Sequence, residues 1–226
     1  MNLDWIHNYD LFLFDFDGLL VNTEQLHCDA YRVMCEERGY NLGWDFQKFL
    51  AIAHFSSTGL KESIYKELPE LYADEPSWEV LYAEKKKAYE RLLDEGSVTL
   101  LPGVRELLQA LEKANIKRAV VTNSTRTQVE SIKNNLPLLK TIPHWITRED
   151  YKNPKPSPEG YQKALALLAK PNDRVIGFED SLRGLQSLLQ AGIHAVLICP
   201  PDHPQLELEA IPDVPYFSSF AEITSL

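Results

Sequence analysis

From about residue 98 onward, short apolar runs alternate with segments whose hydrophobic residues recur every three or four positions. Val104, Leu107, Leu108 and Leu111 fall at i, i+3, i+4 and i+7, and Tyr161, Leu165, Leu168 and Leu182, Leu185, Leu188, Leu189 follow the same rhythm less completely. That spacing lines one face of a helix, so three helices are predicted. Between them lie Arg118–Thr122, Arg174–Phe178 and His194–Cys199, nearly unbroken apolar runs of strand length. Strands covered on both faces read this way.

Leu11–Phe14 predicts another strand, set apart from the rest. Residues 24–95 carry helical patterning instead: Leu60, Ile64 and Leu68 at i, i+4, i+8, and Trp78, Leu81 and Tyr82 at i, i+3, i+4, with Pro69 and Pro76 as punctuation. Strand and helix in series imply a parallel sheet with helices on both sides. The expected fold is therefore α/β: a parallel, Rossmann-like sheet flanked by helices, with a small all-helical domain inserted after the first strand. Residues 1–20 and 97–226 form the α/β core and residues 21–96 the insert. Gly96 marks the boundary and Leu101-Pro102-Gly103 the return to the core.

Composition fits one folded chain: 226 residues, 44% hydrophobic and 25% charged, neither disordered nor fibrous. Twenty-three basic and 33 acidic residues leave a net charge of −10. Such a field repels polyanions, so a nucleic-acid partner is not expected. The one lysine run, Lys85-Lys86-Lys87, sits among Glu84 and Glu90 and reads by default as a solvated helix face. Cys28, Cys35 and Cys199 have no metal or redox spacing, which points to a reducing compartment. The first residues carry no basic leader, and no stretch reaches the roughly 18 apolar residues of a membrane span. The expectation is a cytosolic (cytoplasmic) protein away from membranes; the acidic surface and the lack of a long heptad pattern lean towards a monomer.

Parallel sheets bind ligands at the carboxyl ends of their strands, and the polar residues cluster there. After the first strand comes Asp15-Phe-Asp17-Gly18, whose spacing of two in extended chain sends both carboxylates to one side. A turn or cap rich in Asp and Gly would look the same. Ala119-Val-Val121 ends in Thr122-Asn123-Ser124, a hydroxyl and backbone N–H groups where a phosphate-like anion could sit, or an ordinary N-cap. Val175–Phe178 ends in Glu179-Asp180, a second acid pair or another cap. Lys155 lies between prolines in a stiff loop, where most lysines face solvent. Each ordinary reading is plausible singly; together they would have to coincide at one sheet edge. Four acids against one lysine could admit an anion only with a divalent cation, and hard oxygen ligands point to Mg²⁺.

In these residues the chain resembles the haloacid dehalogenase superfamily of phosphohydrolases, in the branch with a small helical cap that includes β-phosphoglucomutases and phosphoglycolate phosphatases. Asp15-Phe-Asp-Gly-Leu-Leu-Val looks like the family's first motif, Thr122-Asn-Ser like the second, Lys155-Pro-Ser-Pro like the third and Gly177-Phe-Glu-Asp-Ser-Leu-Arg-Gly184 like the fourth. The resemblance implies that Asp15 is the nucleophile forming an aspartyl phosphate and Asp17 the general acid, then base. It implies that Mg²⁺ is held by Asp15, the Asp17 carbonyl and Asp180, with Glu179 direct or through water. Thr122 would bind a phosphoryl oxygen, with Asn123 and Ser124 beside it, and Lys155 would balance charge. An acid at 17 disfavours dehalogenation, in which the leaving halide needs no proton.

The insert is expected to select the substrate by closing over Asp15, through Thr23 and His27 at its entry, which resemble β-phosphoglucomutase positions, and Lys85. An ordinary helix histidine remains an equal reading of His27. Those mutases also use an arginine that Leu50–Gly59 and the residues after it lack, with only Lys61 basic there. The first expectation is thus a Mg²⁺-dependent phosphatase of a small phosphorylated metabolite, such as a sugar phosphate or phosphoglycolate-like acid. A β-phosphoglucomutase-like sugar phosphomutase is the alternative, and a catalytically silent metabolite-binding module a third reading.

Overall fold

A computed structural model describes residues 2–53, 59–96, 98–203, 206 and 212–226. The chain divides into two compact units, Met1–Asn22 with Thr99–Asp202 and Glu209–Leu226, and Thr23–Val98 with His203–Leu208.

The first unit is built on six parallel strands among its described residues: β1 (Leu11–Phe14), β2 (Lys117–Val121), β3 (His144–Ile146), β4 (Val175–Glu179), β5 (His194–Ile198) and β6 (Tyr216–Phe217), in the order β3-β2-β1-β4-β5-β6. β1 is central and wholly buried. Its alternating side chains supply both faces of the sheet. Leu11 and Leu13 join Ala119, Val121, Tyr161, Ala164, Leu185 and Leu188 under the helices α8 (Glu159–Leu168) and α9 (Leu182–Gln190). Phe12 and Phe14 point the other way and stack on Phe178, with centroids 6.1 and 5.5 Å apart, beside Trp5 and Phe220. Each such side chain, fully buried, contributes about 1.5–3 kcal/mol. The helix α6 (Val104–Lys113) buries Val104, Leu107, Leu108 and Leu111, the face its spacing predicts.

The order reverses at β1, which pairs with β2 on one side and β4 on the other. The carboxyl ends of three sequence-distant strands therefore meet at one place. Two strands went unpredicted. β3 starts with an exposed histidine and is three residues long, and β6 has only two; neither presents the apolar run that marks an interior strand.

The second unit is helical among its described residues: α1 (Thr23–Glu37), α2 (Phe46–Ala53), α3 (Gly59–Glu67), α4 (Pro69–Asp74) and α5 (Trp78–Asp94). Its own core gathers Tyr31, Met34, Trp44, Phe49, Ile64, Leu71 and Leu81. Pro69 opens α4 at its first turn, where its missing N–H costs nothing. The α/β unit extends to Asn22 and resumes at Thr99, two residues inside the expected insert on the first side and two beyond it on the second. The two connecting segments are zipped together: Asn22 N–H donates to the Thr99 carbonyl at 3.1 Å, Thr99 N–H to Asn22 Oδ1 at 2.6 Å, and Val21 bridges Leu100. Of the expected arginine-free segment Leu50–Gly59, residues 54–58 lie outside the described residues.

Candidate active site

Each strand end reached by the reversal delivers a polar residue. Asp15 follows β1 and is tied to the sheet by its N–H on the Phe178 carbonyl at 3.0 Å. The chain then turns at Gly18, whose φ of 76° lies in the left-handed region that favours glycine. Thr122 follows β2, with its N–H on Ile146 O. Glu179 ends β4 and Asp180 follows it.

The ordinary alternatives for these residues fail in specific ways. The N-cap of α7 (Arg126–Asn135) is Thr125, in a reciprocal box with Gln128, and not Thr122. The N-cap of α9 is Ser181, which accepts from Gly184 N–H, and not Asp180. Lys155 does not face solvent. It is 6% exposed, and its Nζ donates to Asp15 Oδ1, to Glu179 Oε1 at 2.6 Å and to the Val121 carbonyl at 2.8 Å. The same three strand ends that converge in the fold are thus joined through one ammonium group.

Asp15, Glu179 and Asp180, all buried, each offer a carboxylate oxygen, and these oxygens lie within 4.8 Å of one another. Asp17 is not in this group. Its Oδ2 accepts from Ser124 Oγ at 2.6 Å and from Thr122 Oγ1 at 3.2 Å. The two carboxylates of the first motif therefore have different surroundings, although spacing alone would place them side by side. Thr122 and Ser124 spend their hydroxyls on Asp17. Asn123 is turned inward: its Oδ1 accepts from Tyr151 O–H at 2.8 Å and from Lys155 N–H at 3.3 Å, so it locks the second motif to the third.

The electrostatics show what this arrangement lacks. Burial pushes the Asp15 carboxyl up to about 8, with Lys155 pulling it down and Glu179 and Asp17 pushing it further up. Burial also opposes the charge on Lys155, but Asp15 and Glu179 together hold its pKa above the ordinary lysine value. One ammonium does not neutralise three converging carboxylates, so further positive charge at this point would favour the ionised form of Asp15. An all-oxygen set of buried carboxylates suits a hard divalent cation such as Mg²⁺, so the residues present fit the metal their motifs imply.

Several contributors were invisible to periodicity. Tyr161 and Tyr151 count as apolar residues on a pattern, yet the buried hydroxyl of each is committed to the site: Tyr161 to Glu179 Oε1 at 2.5 Å, Tyr151 to Thr122 O at 2.7 Å and to Asn123. Tyrosine where phenylalanine would pack equally well was the available signal.

The expected insert residues are found within the helical unit. Thr23 begins α1 and is buried. The solvated reading of the lysine run is corrected for one member: Lys85 is buried while Lys86 and Lys87 are exposed. The helix turns it onto the face with Leu81 and Ala88, where its Nζ lies 2.5 Å from His27 Nδ1 and over the rings of Tyr31 and Tyr89 at 5.1 and 5.0 Å. His27 stacks on Tyr89 at 4.5 Å. Burial, then Lys85, lowers the His27 pKa well below 6.5. In the unfolded chain the imidazole protonates as pH falls through about 6.5, and in the folded chain it does not. Stability is therefore complete above that value and declines below it, by up to about 1.4 kcal/mol per pH unit. Urea unfolding of wild type and His27→Gln at pH 7 and pH 5 should give a steeper acid loss for the wild type, and equal losses would refute this account.

The haloacid dehalogenase-like hydrolase family model matches residues 12–198. Over 190 residues, and 82% of each chain, the sequence is 29% identical to protein CbbY of Cereibacter sphaeroides. It is 30% identical over 189 residues to a phosphorylated carbohydrates phosphatase of Thermotoga maritima, covering 81% of this chain and 82% of that one. It is 27% identical over 207 residues to a β-phosphoglucomutase of Mycobacterium bovis, covering 82% and 79%. A crystal structure of a CbbY variant from Rhodobacter sphaeroides in complex with xylulose-(1,5)bisphosphate aligns over 96% of this chain and 97% of that one, with 26% identity and a TM-score of 0.74.

Proposed function

This chain belongs to the haloacid dehalogenase-like hydrolases, and we propose that it is a Mg²⁺-dependent phosphatase that cleaves the phosphate ester of a small phosphorylated sugar through an aspartyl phosphate on Asp15. The observation that carries the reading is the buried Lys155 ammonium donating to both Asp15 and Glu179, with Asp180 in reach of a shared ion.

In this reading an Asp15 oxygen attacks phosphorus and the ester oxygen departs with a proton from Asp17. Water then attacks the phosphorus of the acyl phosphate, giving its proton to Asp17, and inorganic phosphate leaves with Asp15 regenerated. The hydroxyls of Thr122 and Ser124 orient the Asp17 carboxyl for both transfers. Lys155 stabilises negative charge on Asp15 and on the phosphoryl oxygens, which is most of what phosphoryl transfer asks of a protein. Asp15, Asp180, Glu179 and the Asp17 carbonyl would hold Mg²⁺, which supplies charge neutralisation and polarises the phosphoryl group.

A sugar class of substrate is supported by the relatives, a phosphorylated carbohydrates phosphatase among them. The β-phosphoglucomutase relative keeps transfer to a sugar hydroxyl as the second reading, since both reactions use the same core. Against it stands the absence of arginine from residue 50 to 63, where only Lys61 is basic. A panel of phosphorylated sugars with Mg²⁺ is expected to release free phosphate, and chelation by EDTA to abolish that release. Conversion of β-glucose 1-phosphate to glucose 6-phosphate, primed by a bisphosphate and without free phosphate, would establish the mutase instead. The buried thiols of Cys28, Cys35 and Cys199 agree with a reducing compartment such as the cytoplasm. Among the described residues, no helix is long and apolar enough to cross a membrane.

A further inference from the structure

Glu179 is the most enclosed acid of the site, with no exposed surface. One of its oxygens, Oε1, accepts from Lys155 Nζ at 2.6 Å and from Tyr161 O–H at 2.5 Å. The other, Oε2, is buried and has no hydrogen-bond partner among the described residues. It lies against Gly184: a Cβ built on that glycine would stand 1.9 Å from Oε2. The carboxylate is therefore clamped, with two donors on one oxygen and a bare backbone wall beside the other. Tyr161 is itself fully buried on the core face of α8, next to Ala164. A hydroxyl in such a place is costly unless it is hydrogen-bonded, and phenylalanine would satisfy the packing. That hydroxyl donates to Glu179, and the Lys155 ammonium lies over the same ring at 5.0 Å.

We propose that Tyr161 is a positioning residue of the metal site, holding Glu179 through its hydroxyl in the orientation that ligates the divalent ion directly or through water. The inference rests on the metal reading given under Proposed function. With two donors fixing Oε1, the carboxylate has one way to face Asp15 and Asp180. With only Lys155 left, it can rotate about its Cγ–Cδ bond, and the lysine can follow it away from Asp15. Partners of metal ligands that act in this way are worth about 10- to 100-fold in metal affinity.

The test is Tyr161→Phe, which deletes one oxygen and keeps the ring. Mn²⁺ serves as the probe ion, its free concentration read by electron paramagnetic resonance in titrations of the intact protein without substrate. The expected result is a dissociation constant raised about tenfold or more. In turnover the Mg²⁺ concentration giving half-maximal rate should rise by a similar factor, with most of kcat recovered at saturating Mg²⁺. An unchanged Mn²⁺ dissociation constant overturns the proposal, whatever happens to turnover. So does a kcat that stays low at saturating Mg²⁺ while Mn²⁺ binding is intact, because that pattern belongs to a packing defect. If wild type binds no Mn²⁺ while Asp15 still proves essential, this inference falls and so does the metal half of the reading beneath it. The nucleophile assignment would survive.

Discussion

Replacing Asp15 by asparagine lowers phosphate release by about 10⁴-fold or more, because it removes the atom that would attack phosphorus. The change should not unfold the protein. Asn keeps the shape of the side chain, and the site loses one of its crowded negative charges. Burial and the neighbouring acids Glu179 and Asp17 both work against a charged Asp15, with Lys155 as the counterweight. The variant is therefore expected to match or exceed the wild type in urea stability in EDTA, while remaining inactive on p-nitrophenyl phosphate with Mg²⁺ present. Mg²⁺-dependent release of p-nitrophenol at the wild-type rate would remove Asp15 from the mechanism. A variant that unfolds at markedly lower urea would show instead that Asp15 is needed to build the site.

The opposite behaviour is expected of Lys155→Ala. The lysine is 6% exposed and meets Asp15, Glu179 and the Val121 carbonyl. Deleting it leaves two buried carboxylates facing each other without a cation, a situation that typically costs about 3–5 kcal/mol. The loss should be largest in EDTA, and saturating Mg²⁺ should restore part of it by binding the folded state alone. Turnover should also fall steeply, since charge on the phosphoryl oxygens loses its fixed partner. Urea titrations with and without Mg²⁺ measure the first effect and initial rates the second. Equal stability of Lys155→Ala and wild type in EDTA would contradict the buried contacts on which the site is built. Lys155→Ala is therefore expected to cost stability and Asp15→Asn is not, while both suppress activity, a signature that a generally damaged fold would not give.

Much of this was legible in the sequence, for identifiable reasons. Leu11–Phe14, Ala119–Val121 and Ile176–Phe178 are interior strands, and two-sided burial writes an apolar run that needs no context. Asp15, Thr122, Lys155, Glu179 and Asp180 were legible because each closes or follows such a run or sits in a proline-stiffened loop. What escaped were properties set by contacts distant in sequence. Thr125 and Ser181 take the capping tasks, which cannot be assigned before the helices are placed. Asp17 turns to Ser124, a partner 107 positions away. Lys85 looks solvated inside a charged run, yet the turn of α5 carries it inward onto His27 and the tyrosines. Tyr161 and Tyr151 enter a hydropathy pattern through their rings, which conceals the hydroxyls that matter.

The zipper between Asn22 and Thr99 bears on how such a molecule can change over time. Because the two chain segments already touch where the helical insertion leaves and rejoins, its length and content can vary without disturbing the register of β1 against β2 and β4. The residues assigned to phosphorus chemistry all lie outside the insertion. Lineages could therefore exchange the inserted segment wholesale while inheriting the strand-end residues intact.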